Sequence, residues 1–218
     1  MPSLFAFLLL ITLEDMKQAP SSDIAFSPAV KAVQAERGSR TAYARVERGG
    51  GFEVEVTAEL RDFLADIDTA FLATASADGQ PYVQHRGGPR GFIRALDAQT
   101  LGFVDFGGNK QYVSTGNLRE NDRVCLFLID YARRRRIKVW GNARPVPATP
   151  ELVAALASPG YRARVEQVIL ITVTAWDVNC PQHIPQKIDA GEVAALVDGL
   201  RARIAELEAE NRRLRAAG

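Results

Sequence analysis

From Ala70 onward, the apolar positions recur with the period of two that is typical of β-strands. The segments FLATAS and PYVQHR flank Ala77-Asp78-Gly79-Gln80, where the Asp-Gly step favours a tight hairpin because glycine accepts a positive φ. Further strands are predicted at 91–96, 101–106, 123–130, 136–144 and 165–176. Six or seven short strands at this spacing predict a mainly β fold with flanking helices, arranged as an antiparallel barrel.

Helix signals lie on both sides of the first strands. Ser27 as N-cap, Pro28 at the first helical position and Gly38 as the stop predict a short helix. A second helix is predicted to begin after Thr57. Its apolar face is formed by Leu60, Phe63, Leu64 and Ile67. Residues 41–46 are predicted to be extended, and residues 150–156 to be helical.

The C-terminal segment carries a heptad repeat of apolar residues. One row, the d positions, consists of Val193, Leu200, Leu207 and Leu214. The complementary row, the a positions, contains Val197, Ile204 and Asn211. The repeat predicts an amphipathic dimerisation helix over residues 191–218, in which a buried asparagine favours a two-stranded coil with one register. The alternative is a single amphipathic helix that lies on its own barrel.

These signals divide the chain into five parts. Residues 4–13 are apolar, but no Lys or Arg precedes them, and they are too short to span a bilayer as a helix. The sequence that begins at Met16 resembles the usual N-terminus of a cytosolic protein. The first fifteen residues are therefore predicted to be a leader or a misassigned start. The predicted parts are the leader 1–15, an N-terminal arm 16–56 with a short helix, the barrel domain 57–178, a Cys-Pro-Gln-His loop 179–190 and the dimerisation helix 191–218.

Composition makes several classes of protein function less favoured for this chain. The formal net charge is +1, so the charge balance does not favour nucleic acid or an acidic membrane as a partner. Two cysteines cannot form a disulfide framework, and a reducing cytoplasm is therefore expected, with Cys125 as a core residue. Cys180 and His183 form a Cys-x-x-His pair, but two ligands do not make a zinc site, so no metal is predicted.

One stretch between strands has the features of an anion site. An apolar strand runs into Gly107-Gly108, and Asn109, Lys110 and Gln111 follow where a helical segment is predicted to begin. Backbone amides freed by such a turn, with a lysine beside them, suit a phosphate group. The alternative for these residues alone is a glycine turn followed by a solvated lysine.

Three blocks, taken in order, resemble the pyridoxamine 5′-phosphate oxidase family of FMN-binding split barrels. They are DGQPYVQHRGGP, FVDFGGNKQ and NDRVCLFLIDYARRRRIKVWGNARPV, the last with Gly141 and Arg144 in place. The resemblance implies a split β-barrel that binds FMN at the interface of a homodimer and acts on a small molecule.

The resemblance also implies cofactor contacts by position. The matching residues are Gln84, His85, Arg86, Gly87, Val104, Asp105, Asn109, Lys110, Gln111 and Arg136. Because Gln84 and Pro89 replace a basic pair of the family, the flavin phosphate would be held by Arg86 and Lys110. His85 and His183 are the candidates for proton transfer.

The C-terminal part departs from the family enzymes that oxidise pyridoxamine phosphate. Those enzymes hold substrate with a Trp and an Arg-Leu-x-x-Arg pattern, whereas this chain has WDVNCPQHIPQK over residues 176–187. No substrate therefore follows from the resemblance, and the loop is interpreted as a rigid connector or as a lid over the flavin. The resemblance implies an FMN-dependent oxidoreductase. The alternatives are a non-catalytic flavin or haem binder or sensor, and a deazaflavin-dependent reductase.

Overall fold

The computed structural model describes residues 19–217, so the predicted leader lies outside the described residues. Seven strands are present: β1 Thr69–Ala75, β2 Pro81–Gly87, β3 Arg94–Ala95, β4 Thr100–Phe106, β5 Arg123–Asp130, β6 Arg135–Val146 and β7 Val165–Asn179. The helices are α1 Pro28–Glu36, α2 Arg40–Arg48, α3 Ala58–Asp66, α4 Val113–Glu120, α5 Pro150–Leu156 and α6 Ala190–Ala217. A short 3-10 turn spans Ser21–Ile24. No described helix is long and apolar enough to cross a membrane.

The seven strands form one antiparallel sheet in the order β2-β1-β5-β6-β7-β4-β3. The predicted hairpin joins β1 and β2, and Gly79 at its turn has a φ of 87°. Leu72 on β1 pairs with Gln84 on one side and with Leu126 on the other. The prediction of a mainly β fold with flanking helices is confirmed, and its arrangement is that of a split barrel.

Contacts between distant strands show how the sheet closes on itself. Four strands separate β2 from β4 in the sheet order, yet Arg86 Nη1 on β2 lies 2.5 Å from Asp105 Oδ1 on β4. Ser114 Oγ, in the helix that follows β4, donates a hydrogen bond to Gln84 Oε1 at 2.7 Å. The sheet therefore curls until β2 faces the end of β4, and the candidate site lies where the two meet.

The core fills the inside of this curled sheet. Alternate strand residues point inward, which gives β1 and β5 a burial pattern with a period of two. Helix α3 adds Leu60 and Leu64, which are 0% and 2% exposed. Burying each such leucine stabilises the fold by about 1.5–3 kcal/mol relative to leaving it in water.

Two helices begin at their predicted caps, and a third spans its predicted range. Ser27 Oγ accepts a hydrogen bond from the Val30 amide at 3.3 Å, and Thr57 Oγ1 accepts one from the Leu60 amide at 3.4 Å. Helix α5 spans the predicted range, with Thr149 as its cap. Each cap satisfies an amide that has no partner inside the helix.

Three local predictions are wrong. Residues 41–46 are helical within α2, where Arg40 pairs with Glu47 and Tyr43 packs edge-on against Phe26 at 5.1 Å between ring centroids. These tertiary contacts override the weak local preference for an extended chain. Strand β3 covers two residues of the predicted 91–96, because Gly91 turns the chain with a φ of 74°. The crossover becomes helical at Val113, later than predicted.

The N-terminal arm packs against the barrel. Phe52 stacks on Trp140 of β6, with 5.5 Å between the ring centroids and 5° between the ring planes. Trp176 Nε1 on β7 donates a hydrogen bond to the Glu55 carbonyl at 2.7 Å. The arm therefore covers part of the outer face of the sheet.

The chain divides into two compact units. Among the described residues, one contains 19–128 together with 137–178, and the other contains 129–136 and 179–217. Within the second unit, Arg134 Nε donates to the Ile184 carbonyl at 3.1 Å, and Gln186 Nε2 donates to the Ala132 carbonyl at 3.0 Å. These bonds fix the Cys-Pro-Gln-His loop to the arginine-rich turn.

Candidate functional site

A cavity of about 210 Å³ lies between the end of β4, strand β2 and the start of α4. Among the residues that line it are five of the predicted cofactor contacts. These are Gln84, Arg86, Asp105, Asn109 and Lys110. The structure therefore brings together residues from three separate segments of the sequence.

Arg86 on β2 lines this cavity. Gln84 and Arg86 share one face of β2 because alternate strand residues point the same way. The Arg86 side chain is 12% exposed, and its Nη1 donates to Asp105 Oδ1 at 2.5 Å. Its Nε–H is buried and finds no hydrogen-bond partner among the described residues. A buried donor without an acceptor is costly, so this group favours a ligand that accepts a hydrogen bond.

Asp105 links the strand end to two neighbouring elements. Its Oδ2 accepts a hydrogen bond from Gln167 Nε2 on β7 at 2.9 Å, and the same amide nitrogen lies 2.9 Å from Thr115 Oγ1 on α4. Both carboxylate oxygens therefore have partners. The Asp105 carboxylate fixes the position of the Arg86 guanidinium and offsets its charge.

The turn after Gly107-Gly108 holds Lys110 in an unusual conformation. Lys110 has a φ of 60° and Tyr112 has a φ of 55°, a left-handed region that is costly for residues other than glycine. The Asn109 side chain supports the turn by accepting a hydrogen bond from the Gln111 amide at 3.2 Å. Lys110 Nζ forms no bond with the described residues. It is therefore a free cation at the cavity.

The first turn of α4 faces the same cavity through Ser114 and Thr115. Its N-cap is Tyr112, and no described side chain caps this turn. The uncapped amides carry the positive end of the helix dipole, which favours an anion. The hydroxyl of Ser114 is already engaged with Gln84.

Charges of both signs meet around the cavity. Tyr112 Oη donates to Glu166 Oε1 at 2.6 Å, and this bond raises the pKa of Tyr112. Arg164 is near the glycine turn, because a Cβ built on Gly107 would lie 3.0 Å from its guanidinium. Two carboxylates, Asp105 and Glu166, therefore oppose the cations Arg86, Lys110 and Arg164.

A second cavity of about 180 Å³ adjoins the first. The two share Gln84, Arg86, Asp105 and Phe106. The predicted contacts His85, Gly87 and Val104 line the second cavity. The His85 side chain is exposed on the opposite face of β2 from Arg86, with its ring 5.7 Å from the ring of Phe71.

Three predicted site residues line neither cavity. Gln111 is exposed, and its side chain is not among those that line either cavity. Arg136 and His183 belong to the second compact unit. His183 is exposed and has a φ of 63°, at the third position of a turn in which the Ile184 amide donates to the Pro181 carbonyl at 3.4 Å.

Several residues in or beside the cavity were not predicted from the sequence. Tyr112, Thr115 and Glu166 line it, whereas Gln167 contacts Asp105 and Thr115, and Arg164 lies near Gly107. The chain reaches the site again at the start of β7, about sixty residues after β4, because β7 pairs with β4 in the sheet. Nothing local in the sequence around Arg164 marks that segment as part of a site.

A separate groove of about 680 Å³ lies on the outer face of β1, β5 and β6. It is lined by Cys125 and Trp140, and by none of the predicted site residues. Cys125 is half-buried rather than a core residue, because Leu126 and Leu128 take the inward positions of β5. Burial raises the pKa of the Cys125 thiol, and nearby Lys138 acts in the opposite direction.

Comparison with known proteins identifies the family of this chain. A family model described as pyridoxamine 5′-phosphate oxidase matches residues 56–181, more than half of the chain. The chain belongs to the pyridoxamine 5′-phosphate oxidase family. The predicted resemblance is therefore confirmed. No curated protein matches the chain.

The solved structures that resemble this chain have low sequence identity to it. HupZ of Group A Streptococcus is 20% identical with a TM-score of 0.46, and the match covers 61% of this chain and 98% of HupZ. An FMN-binding protein from Syntrophomonas wolfei is 11% identical with a TM-score of 0.44, and the match covers 67% and 97%. A general stress protein 26-related protein from Clostridium acetobutylicum is 11% identical with a TM-score of 0.42, covering 62% and 94%.

Proposed function

We propose that this chain is a cytoplasmic FMN-binding flavoprotein, acting as an oxidoreductase on a small substrate. The observation that carries the proposal is the buried Arg86 Nε–H, which lacks an acceptor among the described residues and belongs to a side chain that lines the same cavity as Lys110. A phosphate group supplies acceptors for both donors. The two unbonded cysteines agree with a reducing compartment.

The donors around the cavity fit a phosphate monoester. Arg86 Nε and Lys110 Nζ would hold its oxygens, and the uncapped first turn of α4 would add backbone amides. Arg164 stands close enough to Gly107 to add long-range attraction. The nearby carboxylates Asp105 and Glu166 reduce the net positive charge, which favours one phosphate over a longer polyanionic tail.

The isoalloxazine ring would extend from the phosphate towards the adjoining cavity. FMN supplies two-electron redox chemistry when bound, while the protein supplies binding, orientation and electrostatics. His85 lines that cavity, and its side chain is exposed. The roles of His85 and His183 as proton donors stay predictions.

The size of the cavities supports a cofactor shared between two chains. Each of the two adjoining cavities is smaller than the ~300 Å³ at which ligand pockets usually begin. Both adjoin β2. A second copy of the chain packed beside this strand would enclose a bound flavin. We therefore place FMN at the interface of a homodimer.

The experiment compares FMN with riboflavin, which lacks the phosphate. The purified full-length protein should carry a yellow chromophore that heat releases and chromatography identifies as FMN. Apoprotein should bind FMN much more tightly than riboflavin, and Arg86→Ala or Lys110→Ala should each weaken FMN binding about tenfold or more, with little effect on riboflavin.

Arg119→Ala is the matched control, because Arg119 is an exposed cation at the other end of α4 and lines neither site cavity. Its FMN affinity should equal that of the unaltered protein. A protein that binds neither flavin overturns the proposal. Equal losses of FMN and riboflavin in the Arg86 and Lys110 variants would remove these residues from the phosphate site.

A further inference from the structure

Helix α6 exposes an apolar stripe along its whole length. It spans Ala190–Ala217, and none of its described residues is buried. The large apolar residues of the stripe are between 37% and 68% exposed; they are Val193, Val197, Leu200, Ile204, Leu207 and Leu214. A row of this length on one helix face is the pattern of a surface that packs against another helix.

The residue types in the stripe specify a two-stranded coil. The inner positions of the heptad carry β-branched Val197 and Ile204 in one row, and leucine at 200, 207 and 214 in the other. This combination favours parallel dimers over trimers and tetramers. The helix itself is stabilised locally by ion pairs such as Arg203–Glu206 at 2.9 Å, so it is preformed for docking.

Asn211 distinguishes parallel from antiparallel pairing. In a parallel coil each inner residue of the first row faces its own counterpart, so the two Asn211 amides can hydrogen-bond to each other. In an antiparallel coil, Asn211 would face a residue of the second row, where every position is Val or Leu. Its amide would then be buried without a partner, which is costly.

The flanking charges also fit a second copy of the same helix. In a parallel coil, a residue that flanks the seam lies near the residue five positions further on in the other helix. Arg203 would thus face Glu208 of the second copy, and Glu210 would face Arg215. By symmetry each dimer gains four attractive pairs. Among the described residues, Glu208 approaches one cation, Arg212, at 4.0 Å, so its charge remains available.

We propose that α6 forms a parallel two-stranded coiled coil with α6 of a second copy of this chain. The same end of the coil then carries both Cys-Pro-Gln-His loops, whereas antiparallel helices of this length would separate the loops by about 40 Å. This interface is distinct from the flavin site, and it does not depend on the proposed FMN binding.

Disulfide trapping tests the orientation. Leu207→Cys, introduced into full-length protein that also carries Cys180→Ser, should form a covalent dimer on mild oxidation. Mass spectrometry should show residue 207 joined to residue 207. Ala205→Cys in the same background is the control, because position 205 lies on the outer face of the coil. Equal trapping of both variants overturns the proposal, as does the absence of a dimer linked through position 207.

A charge-exchange pair tests the predicted partner contacts. Arg203→Glu should raise the hydrogen-exchange rate of α6 amides about fivefold or more, because it converts two attractive pairs per dimer into repulsive ones. Adding Glu208→Arg should restore protection. In a helix without a partner the two changes would simply add, since each removes a local pair, and that additive result contradicts the coil.

These readouts separate the coil from the flavin site. FMN content and affinity should be unchanged in the Arg203 and Glu208 variants, which lie far along α6 from its start at Ala190. Trapping through residue 207 in a protein that binds no FMN would support the coil and reject the cofactor. An FMN-loaded protein without coil pairing would support the cofactor and reject the coil.

Discussion

The guanidinium of Arg86 lies 2.5 Å from the carboxylate of Asp105, and this ion pair joins two strands that are separated by four others in the sheet order. Both side chains are nearly buried, at 12% and 11% exposure. The pair therefore contributes to the closure of the barrel. It also fixes the Arg86 side chain, which lines the candidate site and whose buried Nε–H has no partner among the described residues. The same ion pair therefore serves both the fold and the candidate site.

Arg86→Met should lower the free energy of unfolding by about 3 kcal/mol. The variant leaves the Asp105 carboxylate with Gln167 as its main partner, and an uncompensated charge in a nearly buried position is costly. Chemical denaturation of the protein freed of flavin measures the change without a contribution from ligand binding.

The double variant Arg86→Met with Asp105→Leu is the control for this prediction. Replacing a buried ion pair with apolar side chains of similar size is often neutral, so the double variant should be more stable than Arg86→Met alone. Gln167 would still be able to bond Thr115. Losses that simply add would show that the two residues are not coupled.

Lys110→Gly should separate stability from binding. Lys110 has a φ of 60°, which glycine adopts without steric cost, so the free energy of unfolding should stay the same or rise by up to about 1 kcal/mol. FMN affinity should nevertheless fall about tenfold, because the ammonium group is lost. Calorimetric titration and denaturation of the same preparation provide both values.

Lys110→Asn is the matched variant, because asparagine tolerates the left-handed region and carries no charge. Its affinity for FMN should match that of Lys110→Gly. An unchanged affinity in both variants would identify Lys110 as a structural turn residue only.

Structural features that depend on neighbouring residues in the chain could be predicted from the sequence. The hairpin at Gly79, the caps at Ser27 and Thr57, and the alternation along β5 each depend on residues close together in the chain. The family blocks then placed Arg86, Asp105 and Lys110 in one region, and the structure brings all three to one cavity.

Other features depend on contacts that no local pattern reveals. Helix α2 was predicted as extended because its pairing of Arg40 with Glu47 and its packing on Phe26 are tertiary. The carboxylate beside Arg86 was matched by position, but its role in offsetting the charge of Arg86 follows only from the curled sheet. Arg164 approaches Gly107 because β7 pairs with β4.

Gly141→Ala should destabilise the protein by at least about 2 kcal/mol. A Cβ at this position would lie 2.3 Å from the Thr172 carbonyl oxygen and 3.0 Å from Ile171 Cγ2, so β6 and β7 would have to separate. Gly116→Ala is the control. A Cβ there meets nothing within 4 Å, and alanine should stabilise α4 by about 0.5–1 kcal/mol. Equal effects at the two glycines would contradict this account.

Cys125 should react slowly with iodoacetamide at pH 7.5, although it lines the outer groove. Burial raises the pKa of its thiol, and the thiolate is the reactive form, so the exposed Cys180 should be alkylated about tenfold faster or more. Peptide mapping over time measures both rates, and the rate at Cys125 should increase at pH 9.5.

Lys138→Met should slow the alkylation of Cys125 further, because Lys138 is the cation that lowers the pKa of this thiol. Faster alkylation in that variant would show that Lys138 shields the thiol instead of activating it.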